Sequence, residues 1–347
     1  MILSKNYIIE GKAIKANSEV ELSHDTLNEC VIVTTRYGCD VNGDGGRLFQ
    51  IKHRDRMYTP NLTIQHDNVG KIERLYYNDT DSTFAEGIAY NHDTKCIIGV
   101  QNTSLMVSED EKSDKIASKG KSESVTAKDG EKMLAILALG NFDEIVEKFK
   151  DESQCISGHT VITEYNFVTK QDRAIAFEIA ALSIENEEDK KEIIIKDVEL
   201  NLKKVYVRTN HKYLIDDPRV GYASGVDAQS SITRKIKSEE LFVSEEDRAN
   251  DKPETIMKKL AHKPFEYDSP LNPQRDLVDV DEDTGENKGM RTTAQIFYDL
   301  TNYTMIIDPL NGKSNVLFTL NKVTDEIKPK LKVVIIGKPD NMEKIDF

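Results

Sequence analysis

The chain has 347 residues, of which 38% are hydrophobic and 31% are charged, and its formal net charge is −14. This length allows one large domain or two small ones, with enough residues to bury a substantial core. The negative charge argues against nucleic acid and anionic membrane surfaces as partners, because both would repel the protein.

The cysteines and the N-terminus predict a soluble, cytoplasmic protein. The four cysteines form no CxxC pair and no zinc-type spacing with histidine, and such sparse usage indicates reduced thiols. No basic region followed by an apolar run opens the chain, and no apolar stretch reaches the roughly 20 residues that span a bilayer. We expect no metal and no cofactor.

The N-terminal third is predicted to consist of short strands. Residues 1–29 form a polar, weakly strand-like leader. Strands follow between turn clusters rich in Gly, Asn and Asp, at 31–35, 47–51, 72–77, 84–90 and 96–101. Spacings this short indicate hairpins and therefore an antiparallel sheet.

The middle of the chain predicts an insertion followed by two helices. Residues 108–129 are rich in Ser, Lys, Glu and Asp, and they cannot bury enough apolar surface to offset their ordering entropy. We interpret them as a mobile insertion. Helices are predicted at 131–139 and 142–150, with Asn141 as the N-cap of the second.

Strands and helices alternate in the rest of the chain. Strands are predicted at 159–167, 173–181, 192–198, 203–209, 291–308, 315–319 and 331–336, and helices at 230–242 and 253–262. Residues 269–289 are acidic and contain proline, which indicates a second mobile insertion, in the form of a surface loop. This order of elements predicts an α+β fold of two antiparallel sheets with helices on their outer faces.

Several short motifs occur in the same order as in the N-terminal-nucleophile (Ntn) hydrolases with a cysteine nucleophile. This group includes choloylglycine hydrolases, penicillin V acylases, acid-ceramidase-like amidases and acyl-coenzyme A:6-aminopenicillanate acyltransferases. The chain resembles them from Cys30 to the C-terminal strands, and no single motif carries the resemblance. The motifs are KHRD at 52–55, EGIAYN at 86–91, IIGVQN at 97–102, LALGNFD at 137–143, VRTNH at 207–211, SSITR at 230–234 and RTTAQ at 291–295.

The resemblance implies a four-layer αββα sandwich of two antiparallel sheets. Residues 1–29 would be a propeptide, and 30–347 a single domain with the two insertions. In this family the thiol of the first mature residue attacks an amide carbonyl, and its own α-amine transfers the proton. An unperturbed α-amine titrates near about 8, whereas a peptide nitrogen is not basic. Activity therefore requires cleavage between Glu29 and Cys30, and it would be amide C–N hydrolysis or acyl transfer on a small-molecule substrate.

The resemblance also assigns supporting roles by position. Asp55 would hold the α-amine of Cys30 by a charge-assisted hydrogen bond. Lys52, or alternatively Arg54, would lower the pKa of the thiol by its positive charge. Arg234 would orient these groups or pair with Asp55.

The resemblance implies two hydrogen-bond donors to the oxyanion, and the identity of one of them is open. Asn210 would donate to the developing oxyanion, together with either Asn102 or Gln101, because fixed amide donors suit that task. His211 could serve as a general base in a different scheme, although no cysteine is close to it in sequence.

Two departures from the family pattern support a second hypothesis. Val31 follows Cys30 where the family has Thr or Ser, and Lys52 stands where it has Arg, whose planar hydrogen bonding Lys does not reproduce. The alternative is a non-catalytic protein of the same fold that is never cleaved and acts in a homo-oligomer or other protein assembly.

The turn at 40–45, DVNGDG, resembles the opening of an EF-hand calcium loop. The closing Glu is absent, because Ile51 occupies its place. An ordinary hairpin turn is the alternative, since glycines are frequent there.

Overall fold

The computed structural model of the protein describes most of the central chain and shorter segments on either side. In chain order its strands are β1 (Lys5–Glu10), β2 (Val31–Tyr37), β3 (Arg47–Asp55), β4 (Asn61–Val69), β5 (Ile72–Asp79), β6 (Ala85–Asn91), β7 (Cys96–Thr103), β8 (Met106–Ser108), β9 (Lys119–Lys121), β10 (Gly158–Asn166), β11 (Asp172–Ile184), β12 (Glu187–Glu199), β13 (Tyr206–Arg208), β14 (Val278–Val280), β15 (Asn287–Met290), β16 (Thr292–Asp299), β17 (Thr304–Asp308), β18 (Asn315–Leu320) and β19 (Leu331–Ile336). The helices are α1 (Asp129–Leu137) and α2 (Phe142–Lys150). The described residues are 5–10, 31–38, 45–55, 61–79, 85–108, 119–121, 129–184, 187–220, 231–232, 235–236, 238–239, 278–280, 287–290, 292–301, 304–308, 315–320 and 331–336.

The described strands form two large sheets in which every pairing is antiparallel. The eight-stranded sheet has the order β1-β4-β5-β6-β7-β10-β11-β12, and the seven-stranded sheet has the order β13-β2-β3-β16-β17-β18-β19. This arrangement confirms the predicted α+β class with two antiparallel sheets.

Three features of the strand pattern were not predicted. The sequence did not indicate β4, which pairs with both β1 and β5. The two stretches predicted as insertions each contribute to a two-stranded hairpin, with β8 pairing β9 and β14 pairing β15. The interpretation of 269–289 as loop alone was therefore wrong, and the mobility of both insertions stays a prediction.

The two helices pack on the outer face of the eight-stranded sheet. In α2, residues Phe142, Ile145, Val146 and Phe149 are buried, and Asn141 Oδ1 accepts the Glu144 N–H at 3.1 Å as the predicted N-cap. These side chains join an apolar cluster with the sheet residues Ala89, Ile98, Val100, Ile162, Ile175, Phe177 and Ile179. No helix in the described part of the chain is long and apolar enough to cross a membrane.

The opposite face of the eight-stranded sheet lies against the seven-stranded sheet. Ile32 of β2 packs with Val161 and Ala176, and Gln50 Nε2 donates to the Val161 carbonyl at 2.7 Å. A Cβ atom on Gly99 would lie 2.6 Å from Gln50 Oε1, so this position has no room for a side chain. The two sheets therefore approach each other closely.

A fourth, helical layer on the outer face of the seven-stranded sheet stays a prediction. Within the helix predicted at 230–242, the described residues 231–232, 235–236 and 238–239 are helical. The helix predicted at 253–262 lies outside the described residues.

Candidate functional site

The space between the two sheets contains many buried polar side chains. Because side chains alternate along a strand, one face of each inner strand points into this space. We call these residues the inter-sheet polar cluster; its buried members are Thr34, Gln50, Lys52, Glu86, Gln101, Thr103, His159, Thr163, Glu178 and Arg208. A sheet interior is normally apolar, because a buried polar group costs free energy unless it is hydrogen-bonded. This cluster is therefore the candidate functional site.

Three of the predicted site residues have described side chains, and each belongs to the end of β7 or contacts it, although the side chain of the β7 residue points away from the inter-sheet space. These are Lys52, Asn102 and Asn210. For Asp55, the last residue of β3, only the backbone position opposite Thr292 is described.

Cys30 and Arg234 lie outside the described residues, but their sequence neighbours lie inside. Strand β2 begins at Val31, directly after Cys30, and Ile32 is opposite Lys52 in the β2–β3 register. Ser231, three residues before Arg234, is fully buried beside Asn210.

Lys52 makes a buried ion pair that the sequence did not predict. Its ammonium donates to the Glu86 carboxylate of β6 and to the backbone carbonyl of Asn102. The exposed fractions of the two charged side chains are 1% and 0%. Glu86 also accepts the Asn102 N–H at 2.7 Å. Glu86 is therefore a site residue that motif reasoning missed, although it opens the EGIAYN motif.

The side-chain amides of Asn102 and Gln101 differ in their hydrogen bonding. The Asn102 side-chain amide donates to Thr160 Oγ1 at 2.7 Å and to the Ser157 carbonyl at 3.2 Å, which uses both of its hydrogens. Gln101 is completely buried on the opposite face of β7, and its side-chain amide has no hydrogen-bond partner among the described residues. Gln101 is therefore the better placed of the two to donate to a ligand.

Asn210 links the VRTNH and SSITR motifs to β7. Its side-chain amide donates to the Ser104 carbonyl at 2.8 Å and to Thr103 Oγ1 at 3.3 Å. Its backbone N–H donates to Ser231 Oγ at 2.9 Å, and the His211 N–H donates to the same oxygen at 3.1 Å. His211 Nδ1 lies 2.8 Å from this hydroxyl, so the histidine contacts a serine.

A second buried pair, His159 and Glu178, was also missed by sequence reasoning. The two residues face each other in the β10–β11 register, with His159 Nδ1 3.5 Å from Glu178 Oε2. The Glu178 carboxylate accepts the backbone N–H groups of Tyr213, Leu214 and Ile215 at 2.7 to 3.1 Å. Burial raises the pKa of Glu178, and the three N–H groups and the charge of Arg208 oppose that rise.

Burial holds the pKa of His159 well below its usual value, and the positive charges of Arg208 and His211 lower it further. The imidazole is therefore neutral in the folded protein at neutral pH. In the unfolded chain it titrates near about 6.5.

We expect acid to destabilise the fold through His159. Below about pH 6.5 the unfolded chain binds a proton that the folded protein does not bind, so the free energy of unfolding falls by up to about 1.4 kcal/mol per pH unit. His159→Gln should reduce this slope, as measured by urea unfolding from about pH 7.5 to about pH 5.5. His92→Gln, which changes a partly exposed histidine, is the control for the loss of a histidine as such, and it should change the slope less than His159→Gln does. An unchanged slope in His159→Gln would contradict the assignment.

The described residues contain no group of three or more His, Cys, Asp or Glu side chains that could hold a metal ion. Residues 40–44 of the calcium-type turn lie outside the described residues. Cys96 and Cys155 are buried and form no disulfide bond among the described residues, and burial raises the pKa of the Cys96 thiol.

The comparisons with known proteins give no relative for this chain. No protein-family model matches it, and no curated protein has a significantly similar sequence. The resemblance to the Ntn hydrolases therefore remains a prediction from the motifs.

Proposed function

We propose that the protein is a cysteine amidase or acyltransferase that acts on linear amides. It has the four-layer Ntn fold, and Cys30 is the nucleophile after cleavage of the Glu29–Cys30 bond. The supporting observation is the meeting of Lys52, Asn102 and Asn210 at the end of β7. Lys52 lies on the strand that pairs with β2, whose first residue follows Cys30.

The proposed reaction forms and then resolves a thioester. The Cys30 thiol gives its proton to its own α-amine and attacks the amide carbonyl carbon, whose oxygen becomes an oxyanion. The Gln101 side-chain amide donates a hydrogen bond to this oxyanion. Asn210 donates a second one, with the N–H that in the structure donates to Thr103 Oγ1 at 3.3 Å. The α-ammonium then protonates the leaving amine as the C–N bond breaks. Water or a second amine attacks the thioester and releases the acyl group from Cys30.

Intact-mass measurement tests both the cleavage and the acylation. Purified wild-type protein is expected to lose residues 1–29 and to gain one acyl group on Cys30 from an activated acyl ester. Cys30→Ala should stay full-length and should hydrolyse amides only at the background rate. Cys96→Ala, which changes a buried thiol outside the proposed site, should behave as wild type. A full-length mass after prolonged incubation, without acylation of Cys30, would refute the proposal.

One observation favours the second candidate, an uncleaved protein that acts in an assembly. Strand β1, from the segment before Cys30, pairs along six residues with β4 at the edge of the eight-stranded sheet. The segment before the proposed cleavage site is therefore part of the fold. For this candidate we expect every variant to keep the full-length mass. Sedimentation should show self-association or partner binding, and the Cys30→Ala variant should associate as wild type does.

A further inference from the structure

Arg208 lies between two tyrosine rings on the inner face of β13. Its guanidinium carbon is 4.0 Å from the centroid of the Tyr206 ring and 4.1 Å from that of Tyr213. Cation–π contacts with two rings restrict the orientation of the guanidinium. The N–H groups along its edge therefore point in set directions.

The charge of Arg208 is buried without a carboxylate partner among the described residues. The residue is 7% exposed, its Nη1 donates to the neighbouring Val207 carbonyl at 3.2 Å, and its Nε has no hydrogen-bond partner in the described part of the chain. Glu178 is close enough for Arg208 to lower its pKa, but its oxygens accept the N–H groups of 213–215. A buried arginine is normally paired, because an unpaired buried charge is costly.

Other inter-sheet groups share this lack of partners. Among the described residues, Thr34 Oγ1, Thr163 Oγ1 and both polar atoms of the Gln101 side chain are buried without a hydrogen bond. Thr34 lies opposite Tyr206 in the β13–β2 register, and Tyr206 precedes Arg208 by two residues on the same face of β13. Folded proteins leave few buried polar atoms unsatisfied, so this cluster requires a polar occupant.

We infer that the inter-sheet space contains a carboxylate-binding site centred on Arg208. A planar carboxylate matches the two parallel N–H donors of a guanidinium, and hydroxyl and amide groups nearby supply further hydrogen bonds. This inference rests on the contacts of Arg208 and stands whether or not Cys30 is acylated. If the proposed reaction is correct, the carboxylate-binding site limits its substrates to amides that carry a carboxylate.

Small carboxylates and their amides test the site on the full-length chain. Acetate, butyrate and benzoate, compared with acetamide, butyramide and benzamide at constant ionic strength, should separate charge recognition from apolar binding. At least one carboxylate is expected to raise the melting temperature with increasing concentration, and its amide to have no effect. Calorimetric titration then gives its dissociation constant.

The variants localise the binding. Arg208→Met should weaken carboxylate binding by about tenfold or more. Arg208→Lys should weaken it less than Arg208→Met does, because lysine keeps the positive charge, although it lacks the two parallel N–H donors of the guanidinium. Arg219→Met is the matched control, since Arg219 is more exposed and already binds Glu192 and Asp217; its carboxylate affinity should equal that of wild type.

Two results would overturn the inference. The first is that none of the three carboxylates raises the melting temperature of the wild-type protein, or that a carboxylate and its amide raise it equally. This comparison uses wild-type protein alone, so it does not depend on the folding of a variant. The second is full wild-type affinity in Arg208→Met. Carboxylate binding is measured without turnover. Its result is therefore independent of whether Cys30 is acylated, and the two proposals can fail separately.

Discussion

The Lys52→Met variant is expected to lose about 3–5 kcal/mol of its free energy of unfolding. The ammonium of Lys52 is the partner of the buried Glu86 carboxylate, and neither side chain is appreciably exposed. Methionine fills a similar volume but leaves Glu86 charged, buried and without this cation. Urea unfolding at neutral pH, monitored by circular dichroism, measures the difference.

The double variant Lys52→Met/Glu86→Gln separates the charge from the packing. A neutral amide no longer needs a cation, so the double variant should recover much of the lost stability. Arg173→Met removes the cation of an exposed pair with Asp143 and should cost about 0–1 kcal/mol. If Lys52→Met costs no more than Arg173→Met, the Lys52–Glu86 pair is not shielded from water in solution.

Local chemistry made the helices and hairpins predictable. Strands β5, β6 and β7 are separated by clusters of turn residues, and α2 has an apolar stripe with Asn141 at its start. Strand β4 was missed because Leu62 and Ile64 are followed by Gln65 to Asn68, a polar run that gives no period-2 signal. Its pairing with β1 and β5 depends on partners that local sequence does not specify.

The sequence also did not predict which face of β7 each of its side chains lies on, for a different reason. All eight residues of this strand are buried, because helices cover one face and the second sheet covers the other. A strand buried on both faces has no polar–apolar alternation, so the sequence could not decide between Asn102 and Gln101. The register with β10 brings Asn102 opposite Thr160, whose hydroxyl accepts a hydrogen bond from the Asn102 side-chain amide.

The two buried pairs of the site, Lys52–Glu86 and His159–Glu178, were missed because each depends on contacts between residues distant in sequence. Glu86 and Lys52 come from different sheets, and His159 and Glu178 from neighbouring strands of one sheet. In β3 and β10 the paired residue is one of several polar residues, so a local pattern does not distinguish it from its neighbours. The motif order predicted that Lys52, Asn102 and Asn210 belong to one site. Lys52 contacts the Asn102 carbonyl and Asn210 contacts Ser104, two residues later, while their shared role in a site stays a prediction.

The Glu178→Leu variant is expected to lower the free energy of unfolding by roughly 3–5 kcal/mol. The carboxylate accepts the N–H groups of Tyr213, Leu214 and Ile215, and leucine would leave these three donors without their acceptor. A buried donor without a partner costs about 1–3 kcal/mol. Glu178→Gln keeps one oxygen and should cost less, and Glu192→Leu, which alters an exposed carboxylate, should cost about 0–1 kcal/mol.

Hydrogen exchange gives a local measurement for the same variant. The amides of 213–215 should exchange faster in Glu178→Leu than in wild type, while those of α2 keep their relative protection. Tyr213 covers one face of Arg208, so loosening this segment should also weaken carboxylate binding, although Arg208 itself is unchanged. Unchanged exchange at 213–215 would show that other contacts hold the segment. In that case Glu178 would contribute to the inter-sheet polar cluster mainly through its charge.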